Sequence, residues 1–443
     1  MSGMQSFWQS PGTPLPPRIA RADGIHVWDE AGRQYIDVTS GPVAVNLGHG
    51  NPRVLKAMRE QAERVCFAYP TSFTSEANER LSEKLCAAAG PGFDHAFFVS
   101  SGSEAVEKCI QFARHHALAI GQSSRWKVIG RYPAYHGSTL GALSIAGDLA
   151  PGVMAPYMKE MPRVPAPLSY RQPEGHDERS YAQHCLTELE RTIEREGRET
   201  VLAFIMEPVI GLSAGAVSAP DFYYTEVRRI CDRHGVLLVF DEIISGAGRT
   251  GKFLAAHHWP DARPDLVVLA KGIGSGYHPL GAFLAPATMV EAVSAATGFH
   301  YGHTQKGSPL GCAVGLAVLA ETLERDLIRL AAESGEYLRA QLRALMPAIP
   351  VLGDVRGRGL LNAIEIVADQ STRAMLPRER DVIGELKSLA LTEGLLIYGR
   401  RSQGGRYGDW LMVTPPLVAQ RADIDAIVTG LGTVLSRYAE QLH

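Results

Sequence analysis

From about Thr74 onward, short runs of wholly apolar residues alternate with segments of helical period. The pattern predicts helices over 75–89, 104–120 and 222–234, the last ended by Gly235. It predicts strands over 96–99, 127–130, 201–206, 236–240 and 266–270. Strands that are apolar on both faces and alternate with helices imply a parallel sheet covered on each side. The predicted class is therefore α/β, with a central, mostly parallel sheet. Beyond about Ala320 the texture changes: 321–345 reads as a charged helix, 360–367 and 395–398 as short strands, and 424–441 as a closing helix. That part predicts a smaller α+β unit. The Pro-containing polar stretch 167–180 predicts a surface excursion. The division expected is a large domain over 71–320, a small C-terminal domain over 321–443, and an N-terminal segment, 1–70, that joins the small domain.

Composition narrows the partners. The 443 residues carry 44 Lys+Arg against 47 Asp+Glu, a balance with no footprint for nucleic acid or an anionic membrane. Met1 to Pro17 lacks a basic patch followed by an apolar run, so no signal peptide is expected. The longest apolar stretch, 310–320, is too short to span a bilayer and reads as a buried helix. Six scattered cysteines with no C-x-x-C pair predict reduced, buried thiols in the cytoplasm, with neither a disulfide framework nor a metal site.

In parallel sheets, ligands bind beyond the carboxyl ends of the strands, so the residues there carry the chemistry. Ser100-Ser101-Gly102-Ser103-Glu104 follows a strand and opens a helix, where small residues let backbone N–H groups surround an anion. Tyr135-His136-Gly137 offers an aromatic face beside a glycine that allows close approach. Glu207 and Asp241 are carboxylates at buried strand ends, and Asp241 needs a cationic partner. Lys271 follows the strand 266–270 and can act there as an amine nucleophile. Taken singly, Ser101 reads as a helix cap, Tyr135 as core and Lys271 as a surface lysine. Together they form an anion cup, a plate, a carboxylate and an amine. Pyridoxal phosphate requires that set.

These residues stand in blocks that resemble the class III (ornithine/ω-amino acid type) aminotransferases of the fold-type I pyridoxal-phosphate superfamily. The blocks are Leu-Gly-His-Gly-Asn-Pro at 47–52, Ser-Gly-Ser-Glu-Ala at 101–105, Tyr-His-Gly at 135–137 and Glu-Pro-Val-Ile-Gly at 207–211. They continue with Asp-Glu-Ile-Ile-Ser-Gly-Ala-Gly-Arg-Thr-Gly at 241–251, Ala-Lys-Gly at 270–272, His-Thr at 303–304 and Thr-Pro-Pro-Leu at 414–417. The resemblance implies that Lys271 forms a Schiff base with the cofactor and shuttles a proton, and that Asp241 pairs with the ring nitrogen. It implies that Ile243 and Tyr135 cover the two ring faces. Ser101, Gly102 and Ser103 would hold the phosphate, while Glu207 and His136 would support neighbouring groups. Thr304 would complete the phosphate site of the other subunit, which implies a homodimer.

Many relatives that use 2-oxoglutarate carry a glutamate–arginine gate. Its two positions are occupied in this chain by Leu212 and Met412. Losing both charges together is coherent, since either one alone in a pocket would be costly. Val43 stands where many ω-transaminases have a tryptophan. Val43, Leu212 and Met412 are thus expected to line a roomy, apolar substrate pocket. Arg406, with Arg400 and Arg401 in the Gly-rich stretch 399–408, is the candidate holder of a keto-acid carboxylate. The expected activity is ping-pong transfer from an ω-amino acid or amine to a small keto acid such as pyruvate. A racemase or phospho-lyase on the same scaffold is the alternative.

Overall fold

The computed structural model describes residues 16–147, 154–300 and 302–442. Residues 1–15, most of the stretch read for a targeting signal, lie outside them. A seven-stranded sheet forms the centre, in the order His95–Val99, Gly281–Ala285, Leu266–Leu269, Leu237–Asp241, Val201–Met206, Lys127–Tyr132, Arg163–Pro165. Gly281–Ala285 runs antiparallel to both neighbours, and the other adjacent pairs are parallel.

The unbroken apolar runs have a simple cause. Successive side chains on a strand point to opposite faces, and both faces of this sheet are covered. Phe204, Met206, Leu238, Phe240, Val267 and Leu269 enter one core, while Ala203, Ile205, Val239, Leu266 and Val268 enter another. Helix Gly102–Ala119 covers the second face, packing on Gly281–Ala285 and Leu266–Leu269. Strands Gly281–Ala285 and Arg163–Pro165 have no counterpart in the sequence reading. The first carries only two large apolar residues, Phe283 and Leu284, among Gly and Ala, and the second is three residues long.

A third core joins the two ends of the chain. Val38, Leu47 and Val54 pack with Leu338, Ile364, Leu386 and Leu431. It lies against an antiparallel sheet of Leu352–Arg358, Leu361–Ile366, Asp409–Val413 and Tyr398–Arg401.

Three expectations need correcting. The helix predicted over 321–345 is two, Pro309–Glu324 and Leu327–Leu345, because Asp326 adopts a left-handed conformation (φ 53°) that breaks the helical run. The strand predicted over 395–398 is also two. Leu395–Leu396 pairs with Gln34–Asp37, whereas Tyr398–Arg401 pairs with Asp409–Val413 in another sheet. The 167–180 excursion is anchored: Pro167 and Leu168 are buried, and Arg171 pairs with the buried Glu365.

Candidate active site

The strand ends meet at a cavity of about 390 Å³. Its wall includes Ser101, Gly102, Ser103, Tyr135, His136, Glu207, Asp241, Ile243 and Lys271, all anticipated from the sequence.

At one end, Ser101 caps helix Gly102–Ala119, its Oγ accepting from the Glu104 N–H at 3.2 Å. The first N–H groups of a helix have no partner within it, so this end presents donors and a positive dipole. Gly102 lets the helix start pack closely on Ile243, whose Cδ1 would lie 2.8 Å from an added Cβ and would have to turn aside. Ser103 Oγ accepts the Ser138 N–H at 3.0 Å, which ties the Tyr135 loop to the helix start and leaves its own proton for a ligand. Gly137, at φ 139°, makes that approach possible, since a Cβ there would lie 2.6 Å from Ser103 Oγ.

Asp241 closes the strand Leu237–Asp241, and both its oxygens are fixed. Oδ1 accepts the Ile243 N–H at 3.1 Å, and Oδ2 accepts from His136 Nδ1 at 2.8 Å. The adjacent Glu242 points elsewhere, accepting from Ser245 Oγ and the Ala255 and Ala256 N–H groups, and burial pushes its carboxyl up to about 7. Of the tandem carboxylates, only Asp241 serves the cavity. Glu207 bridges two loops. It accepts the Tyr135 N–H at 3.1 Å and the Gly211 N–H at 2.7 Å, and burial raises its pKa.

Lys271 follows Leu266–Leu269 with φ 45°, a conformation uncommon for a side-chain-bearing residue and concentrated at functional sites. Burial lowers its ammonium from 10.5 to about 8, and the carboxylates of Asp241 and Glu207 work against that shift.

Some candidates lie elsewhere. Val43, Leu212, Met412 and Arg406 are absent from the cavity wall of one chain. Val43 and Met412 are turned into the core, 1% and 0% exposed, and Ala44 takes the wall position expected of Val43. Leu212 is buried with them. Arg406 is exposed above Tyr407 and lines a separate cleft with Trp126, Lys127 and Arg195. Arg401 is bound to Asp409 and to the carbonyls of Leu376, Pro377, Arg378 and Arg380. Arg400 approaches the Leu212 carbonyl at 3.4 Å. Thr304 is exposed and not on its own chain's cavity wall, although the neighbouring His303 lies 3.3 Å from Glu104. The sequence reading missed His278, Pro279 and Leu280, which complete the wall. Their position in the Gly-rich run after Lys271 was the available signal.

A family model described as aminotransferase class-III matches residues 8–435. The chain belongs to the class-III aminotransferases. A diaminobutyrate–2-oxoglutarate transaminase of Halomonas elongata is 34% identical, over 96% of this chain and 91% of its own. A putrescine–pyruvate aminotransferase of Pseudomonas aeruginosa is 30% identical, over 93% and 88%. The ω-transaminase of Pseudomonas jessenii, solved in complex with PMP, superposes with a TM-score of 0.90 at 29% identity, covering 98% of this chain and 97% of that one. This class-III aminotransferase is therefore a pyridoxal-phosphate enzyme of fold type I. Its cavity fits that cofactor on independent grounds. The buried His136 Nε2 has no protein partner among the described residues, and the start of helix Gly102–Ala119, where the first N–H groups lack an intrahelical partner, lies on the same cavity wall. No helix among the described residues is long and apolar enough to cross a membrane.

Proposed function

We propose that the enzyme moves an amino group from an ω-amino acid or amine to a small keto acid such as pyruvate, in two alternating half-reactions. When bound, pyridoxal phosphate would supply an aldehyde carbon able to carry the nitrogen and a ring that withdraws electrons from it. Lys271 Nζ, which titrates near 8, holds the cofactor and moves the proton that leaves the donor's amine-bearing carbon. Asp241 presents a fixed carboxylate to the ring nitrogen, and His136 holds that carboxylate in place. Tyr135 and Ile243 cover the ring. Ser101, Gly102 and Ser103 receive the phosphate.

The acceptor assignment rests on one observation. Lys271 is the only Lys or Arg on the cavity wall among the described residues. A second carboxylate on the acceptor would be desolvated without a fixed cation, at a cost of a few kcal/mol. A single carboxylate needs one partner, and Arg400, which reaches the hairpin tip at the Leu212 carbonyl, is the candidate we put forward. The two curated relatives use different acceptors by name, so kinship leaves the choice open. With one common amine donor, kcat/KM for pyruvate should exceed that for 2-oxoglutarate by about tenfold or more. A better rate with 2-oxoglutarate would mean that a cation reaches the cavity from elsewhere.

The working unit we propose is a homodimer, with Thr304 entering the partner's phosphate site. A cluster of exposed apolar side chains supports a buried face: Phe73 is 72% and Tyr69 59% exposed, beside Val65 and Phe67. Sedimentation of the holoenzyme at micromolar concentration tests this, and a monomer would refute it.

A further inference from the structure

Strands Val209–Ile210 and Val217–Ser218 form a small hairpin, and its tip, 211–216, is buried throughout. Buried loop carbonyls need hydrogen-bond partners. Four consecutive ones find them on side chains that come from the C-terminal sheet and the turn that follows one of its strands. Leu212 O accepts from Arg400 Nη1 at 3.4 Å, and Ser213 O from Ser402 Oγ at 2.6 Å. Arg356 spans the next two, donating from Nη2 to Ala214 O at 2.8 Å and from Nε to Gly215 O at 2.6 Å. Gly215, at φ 71°, admits this contact, because a Cβ there would lie 2.7 Å from Trp410 Cγ and 3.1 Å from Arg356 Nη2.

Arg356 is itself braced. It donates to Glu365 Oε2 at 2.7 Å and to Asp354 Oδ2 at 3.0 Å. Glu365 is fully buried, and its other oxygen accepts from Arg171 Nε at 2.7 Å. At its opposite side the tip leans on the active-site wall. The Gly211 N–H is held by Glu207, and a Cβ on Gly211 would lie 2.7 Å from Ile244 Cδ1. Glu207 and Ile244 both line the cavity. The tip is therefore suspended between the cavity wall and a buried ion pair of the C-terminal unit.

We propose that Arg356, braced by Glu365 and seconded by Ser402, is a positioning residue for substrate selection. Through the 211–216 tip it sets the shape of the cavity's substrate end, without contact to substrate. This inference rests on the cavity being the transamination site.

Two variants test it on the holoenzyme. Arg356→Lys keeps a charge opposite Glu365 but cannot span two carbonyls and a carboxylate together. Ser402→Ala removes one bond to the tip. The readout is the ratio of kcat/KM for isopropylamine to that for the bulkier 1-phenylethylamine, with pyruvate as acceptor and cofactor occupancy followed by absorbance. Arg356→Lys should change that ratio by about tenfold, through KM for the bulky donor, while kcat with isopropylamine and cofactor occupancy hold. Ser402→Ala should move the ratio in the same direction by about threefold. An equal change for both donors, or none, in folded and cofactor-loaded protein overturns the proposal. If Arg356→Lys fails to fold, Ser402→Ala decides alone by the same criterion. Wild-type protein that transaminates no amine–keto acid pair would instead refute the assignment of function beneath it.

Discussion

Glu207, Asp241 and Lys271 each stand at, or within two residues of, the end of an apolar strand. The 211–216 tip that adjoins them is held instead by side chains 141 to 189 residues distant in sequence. The first region is positioned by the sheet itself. Backbone pairing fixes each strand, and the side chain at its end inherits that position. The second closes its own two-stranded hairpin, but its link to the rest of the protein is made mainly by side chains, across the boundary between two cores. The residues proposed for the cofactor chemistry thus stand on the central sheet, and the proposed substrate end on a part that a few substitutions can retune.

The sharpest way to break this comparison is at Lys271. Lys271→Ala removes the group that both holds the cofactor and carries the proton, so turnover should fall by about 10²–10⁴-fold or more. Cofactor should remain bound, because the helix start, Tyr135 and Asp241 are untouched. Stopped-flow measurement of a single half-reaction checks it. A rate within tenfold of wild type would remove Lys271 from its role.

Asp241→Asn is next. The amide can still accept the Ile243 N–H, but its NH₂ then opposes the Nδ1–H of His136, and the fixed negative charge is gone. The half-reaction should slow by about a hundredfold, as for other preorganised electrostatic partners. An unchanged half-reaction rate would mean that another group charges the ring.

Met412→Arg probes the other side of the comparison. Met412 is fully buried, in a strand paired on both sides. An arginine there is an unpaired buried charge and should destabilise the protein by about 3–5 kcal/mol in denaturant unfolding. The preference between pyruvate and 2-oxoglutarate should stay as it is. A stable variant with a gain toward 2-oxoglutarate would place position 412 on the cavity wall after all.

The same contrast explains what the sequence revealed. Runs such as Leu-Leu-Val-Phe before Asp241 and Leu-Val-Val-Leu before Lys271 carry their own signature, because both faces of each strand are buried. The cavity wall at these ends was therefore legible residue by residue. Motif position alone indicated Val43, Leu212 and Met412, and it gives an address in the chain but no side-chain direction. Val43 and Met412 turn into the core, and Ala44 takes the wall. The arginines were harder still. Arg400, Arg401 and Arg406 share one short stretch, yet one meets the hairpin tip, one is bound to Asp409 and one lies in a separate cleft. Alternation along a strand and the turn after it separate them, and neither is visible in composition. Arg356 carried little local signal: apart from Asp354, its partners lie at Ala214, Gly215 and Glu365.

The finest test of the comparison is electrostatic. Burial brings Lys271 down to about 8, against 10.5 for a free lysine, while Asp241 and then Glu207 hold it up. The amine attacks only when neutral, so the recombination rate of apoenzyme with pyridoxal phosphate should rise about fivefold from pH 7 to pH 8 and level off above pH 9. A lysine of ordinary basicity would gain tenfold over that interval and keep climbing, so the plateau, more than the slope, decides. Asp241→Asn should lower the midpoint, because it removes the carboxylate that most favours the charged amine. Glu207→Gln should lower it less. Arg356→Lys should leave it in place, since that residue acts on the shape of the hairpin tip and contributes no charge interaction to Nζ. A midpoint that moves with Arg356 would show that the two regions are electrostatically joined, and that the division between a sheet-fixed chemical site and a side-chain-fixed substrate end is wrong.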